Sequence, residues 1–267
     1  MGKRNADLMT IFRLIRNLFQ PKPLPLVCAG LSDTGMVRAT NEDAFAAFPE
    51  RRLFMVADGM GGHNAGEIAS MATVKVIGDH LSSAILDNIR GLGQEIRHAL
   101  IKSFTLANEL VIALADEKEE WHGMGCTLVL AYLDGATLHV CHVGDARCYV
   151  VSGGIIRQIT TDHTSLREMN FEISDDRTLN ERQPTRHVVT RVIGYPFPEA
   201  PEYNSCPFTQ GDRILLCSDG LWSMLDEKTL QQILTISDSP ETTVEDLVKQ
   251  ANAAGGPDNI TGLAIFS

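Results

Sequence analysis

Two segments of the chain share one design. In LFMVADGMGG an apolar run ends at Asp58-Gly59, and in RILLCSDGLW a second ends at Asp219-Gly220. An Asp at the end of a rigid apolar strand is held at the rim of the core. The glycine after it lets the backbone turn sharply and bring a carbonyl oxygen toward whatever the carboxylate binds. Asp258 in GGPDNIT stands just before a terminal strand, and Asp145 in HVGDAR stands where one hairpin strand turns into the next. Glu42 and Asp43 in ATNEDAF add an acidic pair before another short apolar stretch. Taken singly, each of these acids reads as a turn residue, since Asp and Gly are favoured in turns for conformational reasons alone. Four or more carboxylates at strand ends, flanked by glycine and without matching Lys or Arg, ask instead for neutralisation by cations. Oxygen-only ligand sets suit hard ions such as Mg²⁺ or Mn²⁺.

Competing chemistries lack their residues. DGMGGHNAG has the look of a dinucleotide loop, but the sixth position counted from Gly59 is Asn64, so G-x-G-x-x-G is not met. No G-x-x-x-x-G-K-[ST], H-E-x-x-H or G-x-S-x-G occurs, which removes P-loop, zincin and hydrolase-elbow readings. His139, Cys141 and His142 are ligand types, but on a strand the first two share a face that the third does not, so an ordinary strand accounts for them.

The elements that must position the acids are legible from periodicity. Short apolar strands are predicted near 26–31 and 52–57, then helices over about 65–84 and 92–116, where apolar residues recur every three or four positions. In TLVLAYLDGATLHVCHVGDARCYVVSGGIIRQIT the turn signals Asp134-Gly135 and Gly153-Gly154 separate β-type runs, which predicts antiparallel hairpins and counts against a doubly wound parallel sheet. Residues 163–187 read as a polar surface flap. A strand at 213–218, helices at about 226–236 and 241–253, and a last strand at 260–266 complete an α+β layered domain.

The chain of 267 residues carries 34 acidic and 23 basic groups, a formal charge of −11. That balance argues against non-specific nucleic-acid binding, and no apolar run reaches the ~18 residues of a membrane span. The basic groups concentrate at the start, where Lys3, Arg4, Arg13, Arg16 and Lys22 face only Asp7. Within that arm, residues 7–19 place Leu8, Ile11, Phe12, Ile15, Leu18 and Phe19 on one helical stripe, ended by Pro21, Pro23 and Pro25. Such a cationic amphipathic helix suits an anionic membrane surface or a partner, and equally suits packing on its own domain. The division expected is an arm and Pro-rich spacer over 1–25 and one domain over 26–267. Six cysteines without a Cys-x-x-Cys pair, and no secretory signal, indicate the cytoplasm, with the arm offering peripheral attachment at the inner membrane face.

The ordered set VRATNEDAF, ADGMGGHNAGE, GCTLVLA, HVGDAR, TTDHT, VVTRVIG, CSDGLW and GGPDNIT resembles the PP2C-type (PPM) metal-dependent serine/threonine phosphatases in their compact bacterial form, over roughly 26–267. The resemblance implies a four-layer α-β-β-α sandwich of two antiparallel sheets flanked by helices, with two or three Mn²⁺ or Mg²⁺ ions at one end. It implies that Asp58 bridges both core ions, that the Gly59 carbonyl completes the first, and that Asp219 and Asp258 hold the second. Asp145 would serve a third ion together with Asp219, and Arg38 would bind the substrate phosphate. Glu42 and Asp43, with Thr127, would orient metal-bound waters, and His63 would be the general acid.

The activity so implied is hydrolysis of phosphoserine and phosphothreonine on proteins by direct attack of a metal-bridging water or hydroxide. The enzyme would act as a monomer and oppose a bacterial Ser/Thr kinase. The alternative is a catalytically silent phosphoprotein-binding or scaffolding module, against which the intact Asp58, Asp219 and Asp258 set speaks. Two departures stand out: Ala146 follows Asp145 where Ser is commoner in the family, and LREMNFEISDDRTLNERQPTRH lacks the helix signature usual there, which leaves substrate preference open.

Overall fold

The structure is a computed structural model in which residues 24–62, 65–165, 188–197 and 199–267 are described. The basic arm and its stripe at 7–19, most of the polar flap, and His63 lie outside the described residues.

In chain order the strands are β1 (Val27–Asp33), β2 (Asp43–Phe48), β3 (Leu53–Met60), β4 (Gly125–Cys126), β5 (Leu128–Asp134), β6 (Thr137–Val143), β7 (Arg147–Ser152), β8 (Ile155–Gln158), β9 (Glu202–Pro207), β10 (Arg213–Cys217) and β11 (Ile260–Phe266). The helices are α1 (Ala65–His80), α2 (Ser83–Ile89), α3 (Gly93–Ala115), α4 (Asp219–Trp222), α5 (Glu227–Ile236) and α6 (Pro240–Ala253). All sheet pairings are antiparallel. One sheet runs β1-β11-β10-β7-β8 and the other β2-β3-β5-β6-β9, with β4 paired to the end of β3.

Alternation along the strands builds the layers. On β3, Phe54 and Val56 join Val129, Ala131, Val150, Leu216 and Leu263 in the core between the sheets, while Leu53, Met55 and Ala57 face the other way and pack under α1 and α3. On β10, Ile214 and Leu216 face the same inter-sheet core, and Leu215 and Cys217 pack under α5 and α6. The result is the expected four-layer α-β-β-α sandwich. By length and composition α3 is apolar enough to cross a membrane, but its Ile96, Leu100, Phe104, Ala107 and Val111 are spent on the core under the second sheet.

The β7–β8 hairpin turns on Gly153 (φ 58°) and Gly154 (φ 80°), two consecutive left-handed residues of the kind a twisted two-residue hairpin demands. Helix α5 is capped by the Asp226 carboxylate, which accepts from the Thr229 amide at 2.8 Å, and α6 starts on Ser239 with Pro240 in its first turn. One expected helix is corrected: the run over 65–84 divides at Ser82, whose extended backbone (ψ 159°) ends the turn after α1 and starts α2. Strand β9 is an addition, because EYNSCP has no apolar alternation to announce it.

Candidate metal centre

Antiparallel order gathers the acids. Asp58 stands at the end of β3, Asp145 between β6 and β7, Asp219 just after β10, and Asp258 just before β11, all at one end of the sandwich. Asp58 continues the alternation of Phe54 and Val56, so its carboxylate enters the gap between the sheets where the apolar core stops. Arg38, Glu42, Asp58, Gly59, Thr127, Asp145, Asp219 and Asp258 line a single pocket of about 230 Å³. Asp43 sits one layer behind. It pairs with Asp58 in the β2–β3 register and accepts from the Ser218 hydroxyl at 2.7 Å.

Burial, and then the mutual repulsion of these acids, shifts their carboxyls toward the protonated form when no cation is present. Burial pushes the Asp58 carboxyl well above the ordinary range, and the charges of Asp43, Asp219 and Asp145 push it further. The Asp219 carboxyl is itself raised by burial and by the charge of Asp258. Asp43 and Asp145 are each pushed up to about 7, burial being the main cause in both. Divalent cations binding here would have to displace those protons.

The residues fit hard divalent ions. Asp219 Oδ1, Asp43 Oδ1 and Thr127 Oγ1 are buried without a protein partner, which leaves three oxygens clustered at the pocket free to be completed by a bound group. The Gly59 backbone is pressed between two carbonyls. A Cβ there would meet Gly66 O at 2.2 Å and Glu42 O at 2.4 Å, so only glycine brings this peptide so close to the acids. Every side-chain donor facing the pocket from Glu42, Asp58, Thr127, Asp145, Asp219 and Asp258 is an oxygen, the set that Mg²⁺ and Mn²⁺ prefer.

Several positioning residues were not singled out by the sequence reading. Asn259 spends its whole amide on three loops. Its Oδ1 accepts from the Glu42 amide at 2.8 Å, and its Nδ2 donates to the carbonyls of Thr34 (3.0 Å) and Thr40 (2.9 Å). Ser218 Oγ joins Asp43 to the Thr261 amide. The Trp222 indole N–H donates to the Asp145 carbonyl at 3.0 Å, with the Arg147 guanidinium 3.4 Å above its ring and forked onto both oxygens of Asp162. His163 clasps the turn before Asp145: its Nδ1 accepts from the Gly144 amide and its own amide donates to the Gly144 carbonyl. The only available signal was adjacency to the acids within the same motifs.

His139 and Cys141 behave as ordinary strand residues, His139 bonding the Tyr203 hydroxyl at 2.6 Å and Cys141 lying in the core. His142 stacks on His163 with a centroid separation of 4.7 Å and 12° between ring planes, near Glu202. His142 Nε2 bonds the Thr161 carbonyl and His163 Nδ1 accepts from the Gly144 amide, so this trio is read as packing and hydrogen bonding.

An α-β-β-α sandwich with an oxygen-lined pocket between the strand ends is the architecture of a metal-dependent phosphatase. The family model for protein phosphatase 2C matches residues 37–253. The serine/threonine phosphatase stp of Listeria monocytogenes serovar 1/2a is 32% identical over 241 residues, spanning 88% of this chain and 93% of that protein. The structure of PppA, described as a key regulatory component of T6SS in Pseudomonas aeruginosa, aligns with a TM-score of 0.78 at 33% identity, over 91% of this chain and 98% of that one. The catalytic domain of the serine/threonine phosphatase PstP, solved with 2 manganese ions, aligns with a TM-score of 0.73 at 32% identity, over 90% of this chain and 97% of that one. The chain belongs to the protein phosphatase 2C family and is a metal-dependent protein serine/threonine phosphatase.

Proposed function

We propose that Asp58, the Gly59 carbonyl, Asp219 and Asp258 hold two Mn²⁺ or Mg²⁺ ions, and that Asp145 with Asp219 serves a third. The observation that carries this reading is the set of buried carboxylate oxygens at Asp43 and Asp219 left without protein partners beside a pocket of oxygen donors. Bound divalent ions would supply an acidified water and neutralise the phosphoryl oxygens.

The chain's own residues do the rest. Arg38 stands half exposed at the pocket rim, where its planar fork can take two phosphate oxygens and stabilise the charge that builds on them. Glu42, whose backbone amide is held by Asn259, and Asp43, which accepts from Ser218, would orient metal-bound waters. Departure of a Ser or Thr alkoxide needs a proton, and we assign its delivery to His63. The Ser/Thr phosphatase relatives support a Ser/Thr kinase as the opposing partner. All six cysteines are free, which supports a reducing compartment, the cytoplasm.

The test is hydrolysis of an aryl phosphate and of a phosphothreonine peptide by the full chain. Both should require Mn²⁺ or Mg²⁺, stop on chelation and resume on re-addition. Turnover that survives exhaustive chelation would overturn the metal assignment.

A further inference from the structure

A second groove, of about 480 Å³, opens beside the metal pocket. It is lined by Met60, Val189, Val192, Tyr195 and Pro196, with the polar Thr190 and Arg191 beside them, and Met60 and Val189 border the metal pocket as well, so the two cavities adjoin. None of the family-typical acids faces it. Tyr195 is 43% exposed and Val188, at the edge of the same segment, 55% exposed, so apolar surface is bare beside a polar site.

This wall is built rigidly. Residues 188–195 have no regular secondary structure, yet they are stitched to the body along their length. Ser165 donates to the Val188 carbonyl at 3.0 Å, Thr190 to the His163 carbonyl at 2.9 Å, and Ile193 exchanges both backbone bonds with Cys126. The Gly194 amide donates to Asn108 Oδ1 at 2.7 Å, and the Tyr195 hydroxyl donates to the Gly123 carbonyl at 2.9 Å. Arg191 is held by Glu199 at 2.9 Å. Gly125 makes the approach feasible, since a Cβ there would lie 2.5 Å from the Ile193 carbonyl. A preformed apolar surface loses little entropy when something covers it.

We propose that this groove is the subsite for one bulky apolar side chain of the substrate, close in sequence to the phosphorylated Ser or Thr. The inference rests on the phosphatase reading above and deepens it. The phosphoryl group must reach the carboxylate pocket, and an extended peptide advances about 3.3 Å per residue, so only the phosphoresidue's near neighbours can pass Met60 and Val189 into the groove. An apolar occupant suits the groove because five of its seven lining residues are Met, Val, Tyr or Pro, and the guanidinium of Arg191 is engaged by Glu199.

The experiment measures kcat/KM for phosphothreonine peptides of otherwise Ala/Gly sequence, with a single Phe or Leu moved one position at a time on either side of the phosphothreonine. One register should be preferred by roughly tenfold, the lower end of what burying one such side chain yields. Tyr195→Ala and Val192→Asp should each bring that preference close to unity. Tyr195→Phe, which keeps the ring, should retain it. Aryl phosphate hydrolysis, measured alongside, reports the metal pocket alone. If aryl phosphate is turned over but no register is preferred, the groove is filled by another part of the chain or by a second copy, and the proposal fails. A preference that survives both Tyr195→Ala and Val192→Asp overturns it equally. Loss of aryl phosphate turnover in the unaltered enzyme would instead sink the phosphatase reading beneath it.

Discussion

Arg38 Nη2 donates to Asp258 Oδ2 at 2.7 Å across 220 residues of chain, tying the group suited to a phosphate to a carboxylate suited to a cation. Both partners are part exposed, so the pair contributes little to stability. Its meaning is competition. While Arg38 neutralises Asp258, that carboxylate is less available to an ion, and an ion on Asp258 releases the guanidinium toward the phosphate.

Arg38→Ala should therefore separate two effects that a simple loss of structure would not. kcat/KM for a phosphopeptide should fall by about 10²–10³, the usual loss when one preorganised charged donor is removed. The Mn²⁺ concentration for half-maximal activity should fall severalfold, because Asp258 has lost its competing cation. A rise in that concentration would make Arg38 a support for the ion site and not a phosphate ligand.

How far the sequence announces each residue's role depends on the physical signal that residue leaves. Asp58 and Asp219 were legible because a buried strand has a continuous apolar run that ends abruptly, and the acid is the interruption. Layer order followed from Asp134-Gly135 and Gly153-Gly154, since tight turns force neighbouring strands to be antiparallel. Asn259, Ser218 and His163 were illegible as positioning residues. A polar side chain that bonds three backbone groups has the same local sequence as one that faces water, and its partners lie up to 225 residues away. Strand β9 was hidden for a related reason. It is an edge strand with one partner, β6, so its sequence carries little of the burial that makes a strand visible.

Asp219→Asn removes a carboxylate from a crowded, partly buried acidic cluster. Turnover should fall below detection, and the increase in Tm that Mn²⁺ gives the unaltered protein should largely vanish. In the presence of chelator the variant should melt above the unaltered protein, because one uncompensated charge has left the site. Lower metal-free stability would mean that the local contacts of the Asp219 carboxylate outweigh its repulsion by the neighbouring acids.

Trp222 reaches Asp145 only through its indole N–H, while its ring carries Arg147. Trp222→Phe keeps the ring and drops the donor. The turn at Asp145 should loosen, lowering activity by about three- to tenfold at limiting Mn²⁺, as expected for losing one hydrogen bond. Saturating Mn²⁺ should restore most of it. A loss independent of Mn²⁺ concentration would remove Trp222 from any role at Asp145.

The raised carboxylates make metal stabilisation depend on pH with a definite sign. Asp43 and Asp145 move from 3.8 to about 7 in the folded, metal-free chain, and Asp58 moves further in the same direction. Between those values the folded state holds protons that the unfolded state has released, so these groups cost nothing below about pH 4, and their penalty grows until pH passes 7. Cations bind the deprotonated forms and must displace those protons. The increase in Tm produced by a fixed Mn²⁺ concentration should therefore be small at pH 5 and grow steadily to pH 8. Taking the difference between metal-loaded and chelated samples at each pH cancels the opposing contribution of His142, whose buried imidazole is lowered to about 4 and which destabilises the fold as pH falls. Calorimetry at pH 6 should also record proton release on Mn²⁺ binding. A Tm increment that is flat from pH 5 to 8, with no protons released, would mean that the ions do not displace the protons of Asp43, Asp58 and Asp145.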